Sequence, residues 1–278
     1  MFSHVYRDSL WAGVSGTKSG EGSSSGAAKC TRTALLHVLM SLSAHKRGGA
    51  LLSMLDAPCG DLVWMPELWR DYLSSGAGRR LLYHGVDIVQ PLIDSLSVSR
   101  RVRRAADASG VNVSFSRHDV TSMPLRRAYD LVFTRDMMIH LRNKDIFNAL
   151  RVFAESGSRF LLATTMESGS SGPSNQDLPG GDNYRVHGAG HDIILDLPPW
   201  NLPPPLCASF QYQEAQEAKP EAAEPAVFLG LWDMHEPAFR ERVGLVPEPR
   251  FAARGARARH TGMLKYGMRR DATPFVDG

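Results

Sequence analysis

The sequence predicts an α/β fold on an open, mostly parallel sheet, and three observations carry that expectation. Residues 51–61, LLSMLDAPCGD, form an apolar run that ends in an acid and a glycine-bearing turn, and the amphipathic LVWMPELWRDYL follows at once. That is the order strand, tight turn, helix. The pattern then recurs. RLLYHGVDIVQPLIDSL at 80–96 and VNVSFSRHDV at 111–120 bring Asp87 and Asp119 to strand ends, as the first unit does for Asp56. A strongly apolar fourth strand over 129–134 follows, with Arg135 and Asp136 at its exit. In an open parallel sheet the carboxyl ends of the strands together form the binding crevice, so three acids there count for more than any one of them.

Length and composition set the frame. A chain of 278 residues holds one large α/β domain, or a domain plus an appendage. The appendage is the favoured division: 1–30 as an N-terminal Gly/Ser-rich capping loop, 31–240 as the main domain with an insertion at 167–206, and 241–278 as a basic extension. No apolar run approaches the roughly 20 residues of a membrane span, so no membrane role is expected. The start, MFSHVYRDSLWAG, has no basic region followed by an apolar one. Three widely spaced cysteines, Cys30, Cys59 and Cys207, argue against a disulfide framework, and the expected compartment is cytoplasmic. A net charge of +3 gives no general reason to expect nucleic acid as a partner.

In chain order, GVSGTKSGEGSSSGAAK at 13–29 reads as a flexible linker or as a loop folding over a ligand, where Ser hydroxyls and glycine N–H groups hold a carboxylate. CTRTALLHVLMSLSAHK sets Leu35, Leu36, Leu39, Met40 and Leu42 on a helical stripe, with His37 expected to be packed. In the first turn, Gly60 lets the backbone approach a ligand closely. Pro58 and Cys59 exclude the three-glycine dinucleotide fingerprint. Asp87 is placed to accept hydrogen bonds from ribose hydroxyls, or to cap the next helix. Asp119 is placed to accept the exocyclic amine of an adenine. SRRVRRAADASG at 99–110 is a solvated basic helix face. Beyond His140 a helix runs from Asn143, with Ile146, Leu150 and Phe153 on one side.

The succession LDAPCGD, GVDIV, RHDV, DLVFTRDMMIHL and RFLLATTM resembles motifs I to V of class I S-adenosylmethionine (SAM) methyltransferases, over residues 51–166. YRDSLWAGVSGTKSGEGSS, DLPPWNLPPPL and FLGLWDM are similar to flanking segments of a bacterial and algal group of small methyltransferases, some fused to glycosyltransferases. The resemblance implies a doubly wound, mostly parallel seven-stranded sheet, the Rossmann-like methyltransferase fold, with helices on both faces and FLGLWDM as the seventh strand. It implies SAM as cofactor. Asp56, Ala57 and Gly60 would shape the turn around its methionine part, Asp87 and Ile88 the ribose, and Asp119 with Val120 the adenine. Arg135 would sit near the sulfonium, and Ser19 and Gly20 would close over the carboxylate.

Methyl transfer to a hydroxyl needs an aligned acceptor and a base. Asp136 and His140, four apart, share a face if this stretch begins a helical turn. Each also has a plain structural reading, as a helix cap or Arg135 partner for Asp136 and as a core histidine for His140. The resemblance implies an O-methyltransferase acting on a small-molecule or glycan acceptor, with RNA, another metabolite, or a SAM-binding module without turnover as alternatives. No compact metal-ligand cluster is visible. Residues 175–192 and DLPPWNLPPPL are expected at the acceptor site, with Trp200 stacking on a sugar or packing in the core and Asn201 bonding a hydroxyl. The acidic 213–226 reads as a solvated helix or loop, and the Arg-rich tail as an extension or an arm for RNA or another partner.

Overall fold

The computed structural model describes residues 19, 23–46, 50–76, 80–166, 175–178, 191–211 and 226–245. The Gly20 expectation, most of the 13–29 loop, the acidic 213–225 stretch and the Arg-rich tail beyond Leu245 lie outside them. Seven strands form one sheet: β1 (Leu52–Asp56), β2 (Leu81–Asp87), β3 (Asn112–Arg117), β4 (Leu131–Thr134), β5 (Phe160–Met166), β6 (Cys207–Phe210) and β7 (Val227–Asp233). Their order is β3-β2-β1-β4-β5-β7-β6, and β7 alone runs against its neighbours.

Alternation along the strands builds a core on each face. Leu52, Met54, Leu131, Phe133, Leu162 and Leu231 point one way, into a cluster with helices α1 (Lys29–His45), α2 (Met65–Ser74), α3 (Gln90–Val98) and α4 (Arg100–Ser109). Leu55, Val132, Leu161, Ala163 and Trp232 point the other way, onto α5 (Asn143–Glu155) and α6 (Pro237–Arg242). The sheet is therefore doubly wound. Local chemistry sets the helices. On α5, Ile146, Ala149, Leu150 and Phe153 recur at the 3.6-residue period and are all buried. The basic α4 starts where Ser99 Oγ accepts the Val102 N–H and stops at Gly110, whose φ of 62° suits glycine.

The chain winds from β1 to β2 to β3 in one direction and restarts at β4 on the other side of β1. This reversal opens a crevice above the carboxyl ends of β1 and β4, where open α/β sheets take ligands.

Several sequence expectations shift. β4 begins at Leu131, although the backbone of the two residues before it already meets the flanking segments, with Asp130 N–H on Ser53 O at 3.0 Å, Arg159 N–H on Tyr129 O at 3.0 Å and Phe160 N–H on Asp130 O at 3.1 Å. The Asp130 carboxylate accepts Ser53 N–H and Oγ–H, both at 2.7 Å, and meets Lys46 Nζ at 2.6 Å, while the Tyr129 N–H goes to Ser158 Oγ. β3 ends at Arg117, leaving Asp119 in the turn beyond it. His37 is exposed on α1, where Thr31, Ala34, Leu35, Leu39 and Ser43 face inward. The fold continues past residue 240, with Val243 buried and Leu245 packed on the α5 side. The sixth strand that a seven-stranded sheet requires, to which the sequence reading assigns no stretch, is β6 at Cys207–Phe210. No helix among the described residues is long and apolar enough to cross a membrane.

A row of small residues crosses the antiparallel limb, where Gly230 on β7 is flanked by Ala163 on β5 and Ala208 on β6. The Trp232 ring lies back over this row, and its Nε1–H donates to Pro203 O at 2.7 Å. A methyl group on Gly230 would fall inside that ring. Gly230→Ala is therefore expected to destabilise the protein by about 1–3 kcal/mol through overpacking, seen as a lower urea midpoint at unchanged slope. An unchanged midpoint would contradict the packing described.

Candidate functional site

The crevice takes its shape from how the first turn crosses the strand ends. Ala57 N–H donates to Phe133 O on β4 and Cys59 N–H to Val86 O on β2, each at 2.9 Å, so residues 57–60 are strung across three strands. Gly60 takes a φ of 55°, which brings the turn into the crevice without a Cβ.

Asp56 stands under that turn, 2% exposed, and accepts the Tyr83 hydroxyl at 2.5 Å. Burial pushes its carboxyl up to about 7; the Tyr83 bond and Arg135 pull against that rise, and Asp87 adds to it. Asp87, also buried, accepts the Val89 N–H at 3.0 Å. Burial raises its carboxyl to about 6, against the lowering pull of the Val89, Gly60 and Ile88 backbone groups. Asp119 behaves differently. Partial burial pushes it up, but Thr121 N–H (2.9 Å), Thr121 Oγ1–H (2.7 Å) and Ser122 Oγ–H (2.9 Å) outweigh that, and its carboxyl lies below the usual value. Most of its accepting capacity is thus spent inside its own turn.

The β4 side supplies the opposite wall. Arg135 is buried, its guanidinium 5.9 Å from the Trp64 ring and its Nε 3.4 Å from Asp136 Oδ2. Trp64 meets Phe133 edge-on, closing the apolar floor. Asp136 adopts a φ of 54°, so it does not start a helix; a 3-10 turn, Met138–His140, follows instead. The expected shared helical face of Asp136 and His140 is thereby corrected, although both side chains still line the crevice. At the mouth, Ser19 Oγ accepts the Asp61 N–H at 3.0 Å.

One cavity of about 1090 Å³, open mouth included, brings together Ser19, Asp56, Ala57, Gly60, Asp87, Ile88, Asp119, Val120, Arg135, Asp136 and His140. It does not include Trp200 or Asn201. Trp200 is 2% exposed in the core beside α5 and donates Nε1–H to Asn143 O at 3.4 Å. Asn201 turns back on Pro199 O. Asn175 explains this: its side chain bonds Ile194 N, Ile194 O and Pro198 O, folding the described part of the insertion onto α5. The stacking and hydroxyl-binding expectation for that pair is therefore corrected. Tyr83, Trp64, Thr164 and Gln211 take part in or support the site without having been expected. Tyr83 alone carried a signal, since it lies at a buried position of β2 and its hydroxyl needs an acceptor.

No family model matches the sequence, and no curated protein matches it. Among solved structures it is similar to magnesium protoporphyrin IX methyltransferase from Synechocystis PCC 6803 with bound SAM, at 14% identity over 73% of this chain and 81% of that one, TM-score 0.41. It is similar to TehB from Haemophilus influenzae, at 12% identity over 70% and 60% of the two chains, TM-score 0.42. The methyltransferase domain of a bacterial Hen1 is 14% identical over 50% of this chain and 66% of that one, TM-score 0.38.

The carboxyls set a pH dependence. Asp56 has a folded value of about 7 against 3.8 for an ordinary aspartate, so its contribution to stability is fully present below about pH 4 and is lost as pH rises through 7. Asp87 acts the same way up to about pH 6. Asp56→Asn is expected to flatten the fall in melting temperature between pH 4 and 8 and to be the more stable protein at pH 8. Parallel curves for the two proteins would refute the burial of an ionisable group there.

Proposed function

We propose that this chain is an O-methyltransferase that binds SAM in the crevice between β1 and β4 and methylates a hydroxyl. The observation that carries the reading is the convergence of Asp56 and Asp87, at the ends of β1 and β2, and Asp119, in the turn after β3, on one cavity with an apolar floor.

The donor and acceptor set fits the cofactor. A ribose diol presents donors, and Asp87 is a buried acceptor beside the exposed Ile88 and the turn at Gly60. Val120 is an apolar surface for adenine, and the capacity left on the Asp119 carboxylate suits one amine hydrogen. Asp56, whose burial holds its carboxyl near neutrality, favours a cationic ligand, which stabilises the ionised form. Ser19, already tied to the first turn, offers a hydroxyl for the amino-acid end. When bound, SAM supplies an electrophilic methyl group.

The chain's own part is to position the acceptor, exclude water and take a proton. Asp136 and His140 stand on the crevice wall as the candidate bases. The sugar or glycan hydroxyl is supported by the resemblance of the flanking segments. Trp200 does not support it, because its ring is buried.

Calorimetry with SAM and S-adenosylhomocysteine tests the cofactor: Asp87→Ala is expected to weaken binding about 10–100-fold, the worth of a buried charge-assisted hydrogen bond. No binding by the wild-type protein at millimolar SAM would end the proposal. Radiolabelled methyl transfer into sugars, small metabolites and nucleic acid, scored side by side, tests the acceptor. Asp136→Asn with His140→Gln is expected to lower turnover about 10²–10⁴-fold at unchanged SAM affinity. Full turnover in that double variant would mean the base lies elsewhere.

A further inference from the structure

Gln211 follows β6 and is completely buried. All of its polar groups are engaged. Its N–H donates to Val227 O at 2.8 Å, and its carbonyl accepts the Thr31 hydroxyl at 3.1 Å, so the backbone is clamped between β7 and α1. The side chain reaches toward β4. Gln211 Nε2–H donates to Asp136 Oδ1 at 2.6 Å, Thr164 Oγ1–H donates to Gln211 Oε1 at 2.8 Å, and Asp136 N–H donates to Thr164 Oγ1 at 2.9 Å.

These three bonds close a ring, and the ring has one direction. The Thr164 hydroxyl accepts the Asp136 N–H and has a single proton, for which Gln211 Oε1 at 2.8 Å is the nearer acceptor and Asp136 Oδ1 at 3.4 Å the farther one. That fixes the amide with its NH₂ toward Asp136; the flipped amide would set an oxygen against a carboxylate oxygen. Asp136 itself sits at a φ of 54°, a conformation that a non-glycine residue keeps only where its surroundings hold it. Thr164 on β5 holds the Asp136 backbone, and Gln211 just after β6 holds Oδ1 of its carboxylate, while Arg135 Nε lies 3.4 Å from the other oxygen, Oδ2.

We propose that Gln211, through its closed ring with Thr164, is a positioning residue that holds Asp136 against the crevice wall. This rests on the methyltransferase reading only for its consequence in turnover. The ring belongs to the folded chain, and a hydroxyl acceptor would meet a carboxylate whose rotation is already set, which saves the cost of ordering it at each turnover.

Two substitutions test it in the full-length protein. Gln211→Glu keeps shape and the acceptor for Thr164 but turns an oxygen toward Asp136; Gln211→Met removes both bonds at similar length. Expected for both is S-adenosylhomocysteine affinity and KM for SAM as in wild type, with kcat lower by about tenfold or more. Wild-type kcat in both would overturn the proposal, whereas a matched loss of cofactor affinity would recast Gln211 as a general structural residue and overturn it too. A second readout needs no cofactor. The Gln211 side-chain amide resonances, assigned by triple-resonance experiments on the wild-type protein, are expected to shift on Asp136→Ala in the ligand-free protein. Unmoved resonances overturn the ring even if a Gln211 variant fails to fold. A wild-type protein that transfers no methyl while those resonances shift removes the methyltransferase reading and leaves the positioning of Asp136 standing.

Discussion

The constraint on which the rest of the structure depends is the burial of two carboxylates, Asp56 and Asp87, at adjacent strand ends where the winding of the sheet reverses. A dry carboxylate is costly unless it is hydrogen-bonded, so each must bring its partner with it. For Asp56 the partner is Tyr83, which reaches it from β2 only because β1 and β2 pair in register, Asp56 opposite Gly85. The close packing of Tyr83 against Trp69 and Phe115 then follows, as does the glycine at 85, where a Cβ would meet the Phe115 ring and Cys59. One buried carboxyl thus calls for a hydroxyl, whose ring sits in an edge-on aromatic cluster, and that cluster with Cys59 leaves room only for a glycine at 85.

The crevice has two halves with different architecture. The β1-β2-β3 side presents carboxylates one after another at or just beyond parallel strands; Asp87 and Asp119 are held by groups near them in sequence, Val89 and Thr121, and Asp56 by Tyr83 on the neighbouring strand. The β4 side is held by remote segments. Asp136 is fixed by Thr164 and Gln211, and Gln211 in turn by Thr31 on α1. The antiparallel limb therefore does more than finish the sheet, because its last residue supports the wall where an acceptor would lie.

That division explains what could be read in advance. The strand-end acids Asp56 and Asp87, the presence of Asp119 close behind β3, the Gly60 turn, Arg135 and the overall sheet were legible because local pattern decides them: an apolar run, an acid, a turn, an amphipathic helix. Asp136 and His140 were legible as wall residues but not in geometry, since the positive φ at Asp136 breaks the helical spacing assumed for the pair. Trp200 and Asn201 were misplaced because prolines and a tryptophan suit an aromatic ledge and a packed turn equally. The choice was made by Asn175, whose three side-chain bonds lie 19 to 23 residues away along the chain. Gln211 was out of reach. Its bond to Asp136 spans 75 positions, and a glutamine at the edge of an acidic low-complexity stretch carries no local mark of burial.

A buried acid pair also links folding to ligand. In the ligand-free chain, burial makes ionising Asp56 and Asp87 work against the fold, and their elevated values reflect that opposition. A cation entering the crevice reverses the sign for Asp56, because the charge that burial penalises becomes the charge that the ligand rewards. Binding then returns stability that the free protein gives up near neutral pH. An uncharged adenosine-like ligand would satisfy Asp87 and leave the Asp56 cost in place. On the proposed function, a preference for a positively charged ligand would follow from where the sheet reverses, and it would be independent of the acceptor the β4 wall takes.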